Sequence, residues 1–177
     1  MKYFKVSQDK DVSNLIAPAG IDPAVYRDGV SRQEFDQAKS MIVTYFTNSQ
    51  DLEKPDILYT PAFLVSDRFK RLLQKFDSKM RFKGIRCYPE NVDDPEALLY
   101  WWPYLPKIKC LSEKTEKYPT GLVRHLVVES AEIPNKPIIM MDDTLETIVL
   151  VSEELAESML RRNFWGMDFL PVDGTWR

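Results

Sequence analysis

Thr147-Ile148-Val149-Leu150-Val151-Ser152-Glu153-Glu154 is the stretch on which the reading of the fold turns. Its apolar, β-branched run reads as a strand over Thr147 to Val151. Ser152 then reads as a helix N-cap, with Glu153 and Glu154 in the first turn, where carboxylates favour the helix dipole. Ala156, Met159 and Leu160 supply the buried face of that helix. The same grammar occurs upstream. Leu64-Val65-Ser66-Asp67 leads into Phe69, Leu72, Leu73, Phe76 and Met80, an apolar stripe at helical spacing. Gly84 is expected to stop this first helix, with a strand over Ile85 to Tyr88 beyond it. Each helix is followed by a glycine with a proline five positions on, Gly84 with Pro89 and Gly166 with Pro171. The serine-to-glycine spacings differ by four residues, close to one helical turn, which lengthens a helix without turning its buried face far. The pattern predicts a strand–helix–strand unit used twice. The plainer alternative is coincidence between two capped helices.

Outward from this pair, Lys2 to Val6 and Met41 to Phe46 read as strands, and Ser31 to Lys39 as a short helix. Alternation over Lys107 to Ser112 and parts of Leu122 to Glu129, followed by Ile138 to Met141, makes the middle of the chain β-rich. Strands outnumber helices, which predicts an α+β fold with a mixed or antiparallel sheet and a few helices. The 177 residues fit a single domain over 1–177, with 1–95 and 96–177 as the finer division into sub-halves. A chain of this size buries roughly 70% of its unfolded surface and needs no disulfide or metal staple.

Several function classes fall away. The six glycines never cluster, so the phosphate-cradling loops of Rossmann and P-loop enzymes are absent. One histidine and two cysteines offer no zinc spacing, and no metal or other cofactor is expected. Cys87, Cys110 and His125 carry no local signature of a nucleophilic pair, though such partners meet in space rather than in sequence. They read as two small buried hydrophobes and a strand histidine. Asp93-Asp94-Pro95-Glu96 and Asp142-Asp143 sit beside turn signals, where aspartates bond to nearby backbone. The opening Met1 to Asp9 meets lysine and aspartate before any signal-peptide core, and no run of 18 apolar residues exists. With two cysteines and a net charge of −3, a soluble cytoplasmic protein is expected.

Charge is uneven. Between Asp67 and Arg86 stand eight basic residues and two acids. Arg68, Arg71, Lys75 and Lys79 follow helical spacing away from the apolar stripe. They read as a solvated face neutralised within the fold, or as a surface for phosphates or an acidic protein. Leu98 to Pro106 gathers Trp101, Trp102 and Tyr104 beside prolines, as core wedges or as binding anchors.

Taken in order, these motifs resemble a known class. Phe63-Leu64-Val65-Ser66, a helix and Gly84-Ile85 are followed by Tyr104-Leu105-Pro106-Lys107-Ile108-Lys109-Cys110-Leu111. Ile148 to Ser152, a helix and Gly166-Met167-Asp168-Phe169-Leu170-Pro171-Val172 close the chain. The set is similar to the small immunity proteins of bacterial polymorphic toxin systems over most of residues 57–172. It departs from that pattern at Lys109, where the class has aspartate, and in its first 50 residues. The resemblance implies a cytoplasmic, non-enzymatic protein that binds one cognate toxin domain and blocks it, with no catalytic residue and no membrane partner. Trp101, Trp102 and Tyr104, then Arg71 and Lys75, are the expected anchors. The rival readings are a small hydrolase or transferase and a nucleic-acid-binding module using the basic segment 67–86.

Overall fold

The computed structural model describes residues 1–174. Its elements begin with β1 (Tyr3–Gln8), α1 (Arg32–Gln37), β2 (Met41–Phe46), β3 (Ile57–Leu58), β4 (Leu64–Ser66), α2 (Asp67–Phe76), β5 (Phe82–Pro89) and β6 (Leu98–Pro103). They continue with β7 (Lys107–Ile108), β8 (Glu116–Lys117), β9 (Val123–His125), β10 (Val127–Val128), β11 (Ile138–Met141), β12 (Val149–Ser152), α3 (Glu153–Leu160), β13 (Met167–Pro171) and β14 (Asp173–Gly174). Helices and mixed sheets together make the α+β fold. No helix among the described residues is long and apolar enough to cross a membrane.

The chain divides into two compact units. The first comprises Gln8–Tyr104 and Phe164–Met167; the second comprises Met1–Ser7, Leu105–Asn163 and the residues from Asp168 onward. These units do not follow the division between 95 and 96. It would sever β6, the middle strand of the first unit's sheet, from its neighbours.

In the first unit the sheet order is β2-β5-β6-β4-β3. β4 and β5 both run antiparallel to β6, which lies between them, so the helix joining them makes a crossover around a third strand. α2 starts where Ser66 Oγ accepts the Phe69 N–H at 3.2 Å. It packs on β4 and β6 with Phe69, Leu72 and Leu73 buried. The helix ends at Phe76 rather than at Gly84. Asp77 leaves the helical region and its carboxylate accepts the Lys79 N–H, starting a turn. Lys79 and Met80 thus lie past the helix, Phe76 and Met80 are only half-buried, and Gly84 sits inside a longer β5. The other face of the sheet presents Ile85, Cys87, Tyr100 and Trp102 to Ile16, Tyr26 and Phe35, forming the core.

The second unit's principal sheet runs β13-β1-β12-β11-β7. Here β1, from the start of the chain, lies between β12 and β13 as β6 lies between β4 and β5. The correspondence extends to single residues. Ile57 pairs with Val65 and Leu58 with Leu64; in the second unit Ile138 pairs with Val151 and Ile139 with Leu150. Tyr100 stands opposite Ser66, and Tyr3 opposite Ser152. Ser152 Oγ caps α3 through the Leu155 N–H at 3.3 Å. Leu155, Ala156 and Met159 form the buried stripe, whereas Leu160, the final helical residue, is exposed, contrary to expectation. Residues 64–89 and 150–171 therefore share strand–helix–strand order. The first unit adds one strand to the shared plan beyond β5, namely β2.

Candidate partner-binding face

β2 reads Met41-Ile42-Val43-Thr44-Tyr45-Phe46, and its side chains alternate across the sheet. Thr44 and Phe46 are buried, while Val43 and Tyr45 are 55% and 53% exposed. Met41, Val43 and Tyr45 pair with Gly84, Arg86 and Tyr88 of β5. Gly84 and Arg86 pair in turn with Trp101 and Leu99 of β6. All of these residues share the face on which α2 packs.

The helix shelters only one end of that face. Trp101 donates its indole N–H to Asp67 Oδ1 at 2.9 Å, and Lys70 Nζ lies 4.1 Å from its ring centroid. Gly84 lets the Met41 and Trp101 side chains meet over β5, because a Cβ there would lie 2.3 Å from Met41 Cε and 3.3 Å from Trp101 Cζ3. Past Trp101 the face is open. Tyr45 and Tyr88 stand 6.4 Å apart between ring centroids, beside half-buried Leu99. The face runs into a recess of about 630 Å³ lined by Tyr45, Tyr88, Pro89, Asn91, Val92 and Pro95, among others. The outer edge of β2 is pinned by Ala19, whose N–H donates to the Tyr45 carbonyl at 2.7 Å and whose carbonyl accepts from Thr44 Oγ1.

Arg86 stands amid this apolar surface. Besides Lys70 over Trp101, four other cations of its basic stretch are engaged within the fold. Arg68 binds buried Asp56, Arg71 pairs with Asp67 at 2.6 Å, Arg81 pairs with Asp36, and Lys83 Nζ donates to the Ala38 carbonyl at 2.8 Å. Arg86 is exposed and has no hydrogen-bond or ion-pair partner among the described residues.

The expected anchors separate. Trp102 is 2% exposed and packs against Tyr26 and Phe35 at ring-centroid distances of 5.1 and 4.8 Å, so it offers no ring to a partner. Adjacent residues of a strand face opposite ways, which places Trp102 in the core and Trp101 under the helix. Tyr104 is half-buried against Phe35. Arg71 and Lys75 are exposed on α2. Trp101 and Arg71 converge on Asp67, while Trp102 and Tyr104 lie with the opposite side of the sheet. Val43, Tyr45 and Tyr88 were not expected on a surface, since in β2 the polar Thr44 is the buried residue and its apolar neighbours are the exposed ones, the reverse of the usual alternation. The signal lay in β5, where Arg86 interrupts Ile85 and Cys87.

The reactive groups are placed otherwise. Cys87 and Cys110 are buried free thiols in the cores of different units, and burial pushes each up to about 12. Both are therefore thiols rather than thiolates at neutral pH. His125 ends β9, exposed, with Nε2 2.9 Å from Asp173 Oδ2. Asp142 pairs with Lys107, and Asp143 accepts the Leu111 N–H at 2.8 Å. Asn91 and Asp94 hold positive φ in the β5–β6 turn. The described residues include no cluster of three or more His, Cys, Asp or Glu able to hold a metal. The chain matches no protein-family model and no curated protein sequence.

Proposed function

We propose that this protein is a cytoplasmic, non-enzymatic binding protein of the immunity type, which neutralises a cognate toxin domain by covering it. The observation that carries this reading is the open sheet face of Val43, Tyr45, Arg86, Tyr88 and Leu99. β2 extends the sheet past the reach of α2, and Val43 and Tyr45 are left more than half exposed there, with Tyr88 and Leu99 half-buried beside them. Aromatic side chains around an arginine are the composition of interface hot spots, and contiguous exposed apolar surface marks interaction sites. The motif resemblance supplies the class of partner. A specific interface of this kind buries roughly 1,200–2,000 Å² in total.

The test is to look immediately upstream of this gene for a sequence encoding a toxin domain and to co-express the two. Wild type is expected to restore growth and to co-purify with the toxin domain at 1:1 stoichiometry. The combined Cys87→Ala, Cys110→Ala, His125→Ala variant, once shown to fold, is expected to protect equally well. Loss of protection by this folded variant with toxin binding intact would assign chemistry to those side chains and defeat the reading.

A further inference from the structure

Resting on the binding reading above, we propose that the partner is a protein surface presenting a single carboxylate ringed by apolar groups, and that this carboxylate docks on Arg86. Arg86 is flanked across the strands by Val43 on β2 and Leu99 on β6, with Tyr88 two residues along β5. Arg86 thus rises from the central one of the three strands that carry the apolar surface, not from its edge. A partner that seals Val43, Tyr45 and Leu99 from water also strips the water from Arg86. Without an acceptor in return, that desolvation opposes binding. A carboxylate answers the planar guanidinium fork with two parallel hydrogen bonds and fixes the register of the complex.

The surroundings narrow the partner further. Beyond Tyr88 the connection from β5 to β6 carries Glu90, Asp93, Asp94 and Glu96, all exposed. Glu90 accepts from Thr47 Oγ1 at 3.3 Å, and no contact joins any of these acids to Arg86. This acidic turn repels an extended anionic surface, whether a nucleic-acid backbone or a run of acidic residues. One carboxylate within an apolar surround satisfies Arg86 without approaching the turn. Lys and Arg at the partner's edge would then complement Asp93 and Asp94.

The decisive measurement is the affinity of the purified, catalytically inactivated upstream toxin domain for wild type and for Arg86→Glu, Arg86→Gln and Arg124→Glu. Arg124 is an exposed arginine of the second unit with no partner among the described residues, and its reversal controls for net charge. Arg86→Glu should weaken binding by at least about 100-fold and Arg86→Gln by about 10-fold, with Arg124→Glu unchanged. Unfolding midpoints of all three should match wild type, because neither arginine supports the fold. A two-hybrid selection for partners that regain Arg86→Glu should return Asp or Glu changed to Lys or Arg. If wild type binds and Arg86→Glu binds equally, the carboxylate assignment fails while neutralisation stands. If wild type neither binds nor protects, both fail. A dimer of the isolated protein in sedimentation, abolished by Tyr45→Asp, would make the face a self-interface and overturn the proposal.

Discussion

Tyr100 and Tyr3 occupy the same position in the two units. Tyr100 lies opposite the capping Ser66 and donates its hydroxyl to the Pro55 carbonyl at 2.8 Å. Tyr3 lies opposite the capping Ser152, its hydroxyl 2.7 Å from the Lys136 carbonyl and 3.0 Å from that of Pro134. Pro55 and Lys136 each stand two residues before the isoleucine that opens a hairpin, Ile57 or Ile138. In each unit the tyrosine ties its own strand, β6 or β1, past the strand that ends in the helix cap to the entry of the next strand, β3 or β11. Two independently capped helices would have no reason to share this third element. The shared bond supports a common structural plan.

Removing either hydroxyl should therefore cost stability in the same way. Tyr100→Phe and Tyr3→Phe are each expected to destabilise by about 1–2 kcal/mol, read from urea denaturation. Burial raises both phenols above 10.0, so the folded state disfavours phenolate. That contribution is complete below pH 10 and is lost as pH rises beyond it. Each Phe variant should show a shallower alkaline decline than wild type; an unchanged decline would locate the effect elsewhere.

Asp56 is the polar centre of the first unit. It is 3% exposed and accepts from Ser66 Oγ at 2.6 Å, from the Arg68 guanidinium and from the Trp165 N–H at 3.0 Å. Asp56→Ala leaves those donors unanswered and is expected to cost about 2–4 kcal/mol. Arg68→Ala should cost much less than that, since its side chain is 47% exposed and water replaces part of the bond. Equal losses in thermal denaturation would contradict the burial argument.

The two glycines that look alike in sequence should respond differently to alanine. Gly84 lies within β5, and an added Cβ meets chiefly the flexible end of Met41, so Gly84→Ala should cost about 1 kcal/mol or less. Gly166 has φ of +81° and would set its Cβ 2.1 Å from Pro55 Cβ. Gly166→Ala combines backbone strain with overpacking and should cost about 2–5 kcal/mol. Paired urea melts of the two variants give the comparison directly.

Thiol chemistry reports on the two cores. Cys87 and Cys110, both buried, should resist an aromatic disulfide reagent in the native protein at pH 8 and react fully once it unfolds. Rapid native labelling of Cys110 alone would mark local opening of the second unit.

Legibility followed the range of each interaction. Helix starts were readable because Ser31, Ser66 and Ser152 cap with residues three positions on. β2 was readable from its β-branched and aromatic content. Strand partners were not, because the pairing of β1 with β12 spans nearly the whole chain and leaves no local mark. The end of α2 was misplaced because Met80 continues the helical period by accident in the turn after Asp77. Trp101 and Trp102 looked equivalent as neighbours, and only the direction of β6 separates them. The candidate face follows from what α2 does not reach, which no local pattern records.

β1 also sets a timetable. It is synthesised well before β12, and Val6 must wait for Val149 before its ladder can close. At ribosomal rates of about 5–20 residues per second that delay is roughly 7–30 s. The segment from Gln8 to Tyr104 can pair its own strands within that interval. The strand beginning at Tyr3 meanwhile remains an unsatisfied edge, open to chaperones and to wrong partners. Slow synthesis or a late truncation should therefore expose the start of the chain to proteolysis while β2 to β6 stay protected.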